Sequence, residues 1–218
     1  MKLIACRRRV SLVLTVGAIF LGTAIPAAAA STDSSTIPDS ALLAASELPI
    51  TNGGGTWTGP SVRLVQLTFN MCTAKPARSR EIAQVSYGRV PSTGYGGAYA
   101  TVVTFDSAAD AARARAKWAD DLATCAARFP RTDEEGRLYV QGVDRVSQVD
   151  GVDVYGMRVG ASFYIEAPVN LYGESFVVAS GRTLYIVEVP DNVTSATHAP
   201  MPMAATVAAV KRRLAAVG

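Results

Sequence analysis

Polar and apolar positions alternate from residue 62 to 71, with Val65, Leu67, Phe69 and Met71 on one side and Gln66, Thr68 and Asn70 on the other. A period of two is that of a half-buried strand. Residues 82–87 and 99–105 read as further strands, joined through a turn region containing Gly94, Gly96 and Gly97. The period then changes. Ala111, Ala114, Trp118, Leu122, Cys125 and Phe129 recur at steps of three and four, which predicts a long helix capped by Asp106 or Ser107 and running to about Phe129. Its opposite face carries Arg113, Lys117, Asp120 and Asp121, charges expected to lie in solvent.

Beyond a polar turn at 131–136, strands are predicted at 138–149 and 152–159, and Asp150-Gly151 between them is a two-residue hairpin signal. A second hairpin is expected over 175–189, where Phe176-Val177-Val178 and Leu184-Tyr185-Ile186-Val187 flank Ser180-Gly181. Apolar residues on both of their faces mark these as central strands. The last element is a helix from about Pro202 with the stripe Met203, Val207, Val210, Leu214 and Val217. Lys211-Arg212-Arg213 falls in its last turns, where cations suit the negative end of the helix dipole. Nearer the start, Pro38, Asp39 and Ser40 introduce a short helix predicted over 41–48, which Pro49 ends because it has no N–H to donate. Thr51-Asn52-Gly53-Gly54-Gly55 is a loop. It lacks the preceding strand, following helix and Lys-Ser/Thr pair of a phosphate cradle. Strands grouped between helices give an α+β class: an antiparallel sheet flanked by helices.

The first 30 residues follow a different logic. Lys2 and Arg7-Arg8-Arg9 precede an apolar run over 10–25, then Pro26 and Ala27-Ala28-Ala29-Ala30. This is the layout of a secretory signal peptide cut near Ala30, because the run is shorter than the ~20 residues that span a bilayer comfortably. Cys6 precedes the run, so it is not placed for lipid modification. The expected organisation is a signal peptide at 1–30, a flexible Ser/Thr-rich lead-in at 31–37 and one domain at 38–218, secreted and without a stable membrane anchor after cleavage. Cleavage also changes the charge. The leader holds four of the 21 basic residues and no acid, leaving 17 against 18, so the formal charge falls from +3 to −1. No nucleic-acid partner is expected of so balanced a surface.

Cys72 and Cys125 are then the only cysteines left, in an oxidising setting, and are expected to form a disulfide. His198 is the single histidine, in a loop before the last helix, which excludes multi-histidine metal sites and leaves one candidate for a Ser-His-Asp arrangement. No G-x-S-x-G elbow or S-x-x-K motif accompanies it. Glu134-Glu135 sits in a polar turn and reads as solvated rather than as a glycosidase pair. Asn192-Val193-Thr194 matches a glycosylation acceptor by accident of composition. Neither catalytic residues nor a cofactor or metal site is assigned. Trp57, Tyr95 and Tyr99 are candidates for lining a groove, but the sequence singles out no ligand-binding residues and no oligomeric state.

Several local features resemble the PknH-like extracellular sensor domains of actinobacteria. They are Ala41-Leu42-Leu43 with Leu48-Pro49, Cys72 just after a strand, the 99–105 strand leading into the long helix, and Trp118 followed by Cys125-Ala126-Ala127-Arg128. The final hairpin and the basic terminal helix with Lys211-Arg212-Arg213-Leu214 complete the likeness, over roughly residues 38–217. The resemblance implies a twisted antiparallel sheet with flanking helices and a cleft for a small ligand or cell-envelope component. It departs from the kinase-linked member in lacking the cysteines of a second disulfide, and Trp118 sits a turn further from its cysteine. The expected function is an exported, non-catalytic, sensor-like domain. The alternatives are a secreted hydrolase with an unrecognised site, for which Glu174 and His198 are the residues to substitute, and a protein-interaction or inhibitor module contacting through the Tyr- and Gly-rich loop at 90–97.

Overall fold

The computed structural model describes residues 36–61, 63, 72–90, 97–128, 138–161, 169–191 and 199–217. Residues 1–30, expected to be a signal peptide, and, apart from Arg63, the strand expected at 62–71 lie outside the described residues. Strands β1 (Thr56–Thr58), β2 (Ser79–Val90), β3 (Ala98–Phe105), β4 (Leu138–Val149), β5 (Val152–Ala161), β6 (Val169–Ser180) and β7 (Thr183–Asp191) form a seven-stranded sheet in the order β1-β2-β3-β7-β6-β5-β4. Every neighbouring pair is antiparallel. Helices α1 (Ala108–Ala123), α2 (Cys125–Arg128) and α3 (Ala204–Val217) complete an α+β architecture, the class read from the sequence. No periodic signal marks β1, which has three residues between glycines.

Both predicted hairpins are present. Asp150 and Gly151 join Val149 to its partner Val152, with positive φ of 48° and 73°, the backbone a two-residue hairpin turn requires. The second turn is Gly181-Arg182, one residue later than Ser180-Gly181, since Ser180 pairs with Thr183. Alternation along β7 shows how the layers form. Leu184 and Ile186 enter a cluster with Val103, Phe105, Ala111, Trp118 and Leu122, beneath α1. Tyr185, Val187 and Val189 enter a second cluster with Val207, Val210 and Leu214 of α3. The two helices cover opposite faces, so β6 and β7 are apolar on both sides.

Four expectations are corrected. Residues 41–48 form no helix; two 3-10 turns, Asp39–Ala41 and Ala45–Glu47, flank extended backbone. The reason lies in tertiary contacts: the Leu43 N–H donates to the buried Tyr185 hydroxyl at 2.9 Å, and the Tyr87 hydroxyl donates to the Leu43 carbonyl at 2.7 Å. Ile37, assigned to the flexible lead-in, is buried in the α3-side cluster. The long helix starts as expected, with the Asp110 N–H donating to Ser107 Oγ, but breaks at Thr124, whose hydroxyl donates to the Asp120 carbonyl. Cys125 therefore opens a separate turn, and Phe129 lies outside the described residues. Asp121, expected in solvent, is only 9% exposed and accepts two hydrogen bonds from Lys117.

The basic triplet on α3 has tertiary roles beyond the helix dipole. Lys211 pairs with Asp150 at the β4–β5 turn, and Arg213 pairs with Glu47 and donates to the Ser40 carbonyl. These ties hold the extended 36–50 segment and α3 together.

Candidate functional site

Cys72 and Cys125 form the expected disulfide, with Cα atoms 5.2 Å apart and both residues buried in the α1-side cluster. Arg128 reinforces the joint by donating to the Cys72 carbonyl at 2.7 Å and to the Asp121 carbonyl at 2.6 Å. Trp118 packs edge-on against Tyr155 of β5, ring centroids 5.9 Å apart. The bridge, the arginine and the tryptophan together fix α1 and α2 on the sheet.

The other candidates fare differently. Trp57 is buried: its indole N–H donates to the Pro49 carbonyl at 2.8 Å, and the Arg89 guanidinium lies 5.9 Å from its ring centroid. Tyr99 is a partly exposed strand residue opposite Glu188 and Ser86. Tyr95, Glu134, Glu135, Asn192, His198 and most of the 90–97 loop lie outside the described residues.

Where β5, β6 and β7 meet α3, the sheet face turns polar. Glu174 is 1% exposed, and one carboxyl oxygen, Oε1, accepts from the Tyr172 hydroxyl at 3.0 Å and from the Met201 N–H at 2.9 Å. Its other oxygen is buried without a hydrogen-bond partner. Burial raises the pKa of this carboxyl, the two hydrogen bonds oppose that shift, and the negative Asp191 adds to it. The Tyr172 hydroxyl is pushed up by burial and then by the Glu174 charge. Gly156 makes the packing around it feasible, because a Cβ there would come within 2.5 Å of the Tyr172 hydroxyl and 2.7 Å of Val146 Cγ1. Asp191 itself accepts from the Asn52 and Gly53 N–H groups and lies 3.9 Å from buried Arg89, which donates to Thr51 Oγ1. This cluster ties the 51–54 turn and the approach to α3 to the sheet. Glu174 has no route to substrate in this arrangement.

Two concave surfaces among the described residues lie at the β6–β7 turn. One groove of about 480 Å³ runs between α1 and the turn, floored by Ala112, Ala116, Ala179 and Gly181 with Arg115 at its side. A second, of about 380 Å³, shares Gly181 and is lined by Thr36, Arg80, Thr104, Arg182 and Thr183, with Phe105 and Val217 as its apolar part. Sequence reasoning missed these residues. They come from Thr36, β2, β3, α1, the β6–β7 hairpin and α3; Ala108, Ala112, Ala116 and Ala119 do recur at helical steps along α1, but no spacing connects them with Arg80, Thr104 and Arg182.

No protein-family model matches the chain, and no curated protein matches it. Among solved structures, the extracellular domain of PknH from Mycobacterium tuberculosis is similar over 64% of this chain, with a TM-score of 0.39 and 11% identity. The match covers 65% of that domain, so this chain spans less than two thirds of its length.

Proposed function

We propose that the protein is an exported, non-catalytic binding domain of the sensor type, which captures a small ligand or a cell-envelope component. The observation that supports this best is the pair of adjoining grooves around Gly181, built from Thr36, β2, β3, α1, the β6–β7 hairpin and α3 on a sheet held by a disulfide. Their volumes fall in the range that accepts a small organic molecule. The local likeness of Trp118, Cys125 and Arg128 to the PknH-like sensor pattern, and the signal-like first 30 residues, fit the same reading. Glu174, the acid named for the hydrolase reading, is buried and engaged by Tyr172 and Met201, which leaves that reading without an accessible acid at this position.

The test is a thermal-shift screen of the purified chain against small metabolites and cell-envelope fragments. Saturable stabilisation by at least one compound is expected. A broad panel without any response would contradict the proposal.

A further inference from the structure

We propose that the groove lined by Arg80 and Arg182 binds a small oxyanion-bearing ligand, a phosphate ester or a polycarboxylate, an assignment that rests on the binding-domain reading. Three irregularities converge there. In the β2–β3 pairing Ser79 stands opposite Phe105 and Glu81 opposite Thr104, so Arg80 is the extra residue of a β-bulge. A bulge redirects a side chain that regular pleating would place elsewhere, and this one sends Arg80 to the groove. Two residues earlier, Arg78 has φ of 60°, a left-handed conformation that a non-glycine residue adopts at a cost. Across the groove floor, Thr104 Oγ1 is buried without a hydrogen-bond partner. A native fold seldom leaves such a hydroxyl unpaired, and a rotation of the Thr104 side chain would be needed to bring it to an oxyanion seated between Arg80 and Arg182.

The charge balance points the same way. Arg80, Arg182 and Arg115 are exposed, and no described carboxylate engages any of them. Glu81, which follows Arg80 in the chain, accepts from the N–H and hydroxyl of Thr36 and is not itself among the lining residues. Several arginines elsewhere on the protein are matched: Arg113 with Asp110, Arg145 with Asp153, Arg158 with Asp144. Unmatched guanidiniums around a concave site present fork-shaped donors suited to phosphate or carboxylate oxygens. The Thr183 side chain at the lining adds a further polar group, the Thr36 hydroxyl being engaged by Glu81, while Phe105 and Val217 form the apolar part of the lining. At about 380 Å³ the groove suits a small molecule, and the adjoining one with Arg115 allows a longer ligand to extend toward α1.

Titration calorimetry of the purified chain at low salt, with inorganic pyrophosphate and with citrate as probes and glucose as the neutral control, tests this. Saturable binding of at least one anion is expected, weakened at least about tenfold by Arg80→Gln and by Arg182→Gln and less by Thr104→Val, and falling as salt is added. Preference for pyrophosphate assigns a phosphate ester, and preference for citrate a polycarboxylate. Absence of saturation with both anions, or binding that neither arginine substitution weakens, overturns the assignment. If only neutral compounds bind, the oxyanion assignment falls while the binding-domain proposal stands; if the whole panel is silent, both fall. Unchanged melting temperatures of the exposed-arginine variants confirm that the fold is intact.

Discussion

Glu174 occupies a face of β6 otherwise filled by Phe176 and Val178, and it is kept there by the Tyr172 hydroxyl and the Met201 N–H. Burial raises its folded-state pKa above the unfolded value, so the folded protein holds the proton more tightly than the unfolded chain does. The stabilisation this gives is complete below the unfolded carboxyl pKa and is lost as pH rises through the folded one. Glu174→Gln keeps an oxygen for both donors and cannot ionise. The variant should therefore show a flatter fall in melting temperature between pH 5 and pH 8 than the parent, and equal slopes would mean that this carboxyl does not titrate differently on folding. Residues were legible where their chemistry constrained them alone. Cys72 and Cys125 read as partners from the expectation of an oxidising compartment, and the structure pairs them. Asp121 reads as solvated although its partner Lys117, four residues earlier, is visible in the sequence; its burial depends on how α1 packs and on Arg128, 3.7 Å away, which only the fold brings to it.

Among the elements, strong periodicity and turn chemistry carried over well. The hairpin at Asp150-Gly151 and the stripe of α3 were read directly, and Met203, Val207, Val210 and Leu214 are all in the core. The failure at 41–48 is instructive. Its residues favour a helix locally, yet two buried tyrosines from β2 and β7 claim the Leu43 backbone groups, and burial of Leu42, Leu43 and Leu48 against α3 favours an extended run. The break at Thr124 has a similar cause. Turning Cys125 inward to reach Cys72 serves the cross-link better than another helical turn would. That link closes a loop with a sequence separation of 53. Replacing both cysteines, Cys72→Ser with Cys125→Ser, should lower the unfolding free energy by up to roughly 4 kcal/mol on the chain-entropy model. Urea unfolding of the double variant measures it, and a loss near zero would show that Arg128 and the Trp118 packing hold α2 without the bridge.

For the molecule as a whole, the α+β class followed from the order of the elements, but the strand order did not. The sequence shows two hairpins, β4–β5 and β6–β7; only the assembled sheet inserts β7 between β3 and β6 and so brings the Gly181-Arg182 turn beside Arg80 and Thr104. A site assembled from residues about 100 positions apart leaves no spacing to read. The central claim is that this chain works outside the cell as a binding body whose helical face is fastened to the sheet through sulfur. Intact-mass analysis of the protein recovered from culture medium, with and without reductant, tests it most directly. The predicted product begins near Ser31 and lacks the two thiol hydrogens until reduced. An uncleaved chain confined to the cytosol, with Cys72 and Cys125 both open to alkylation, would contradict it.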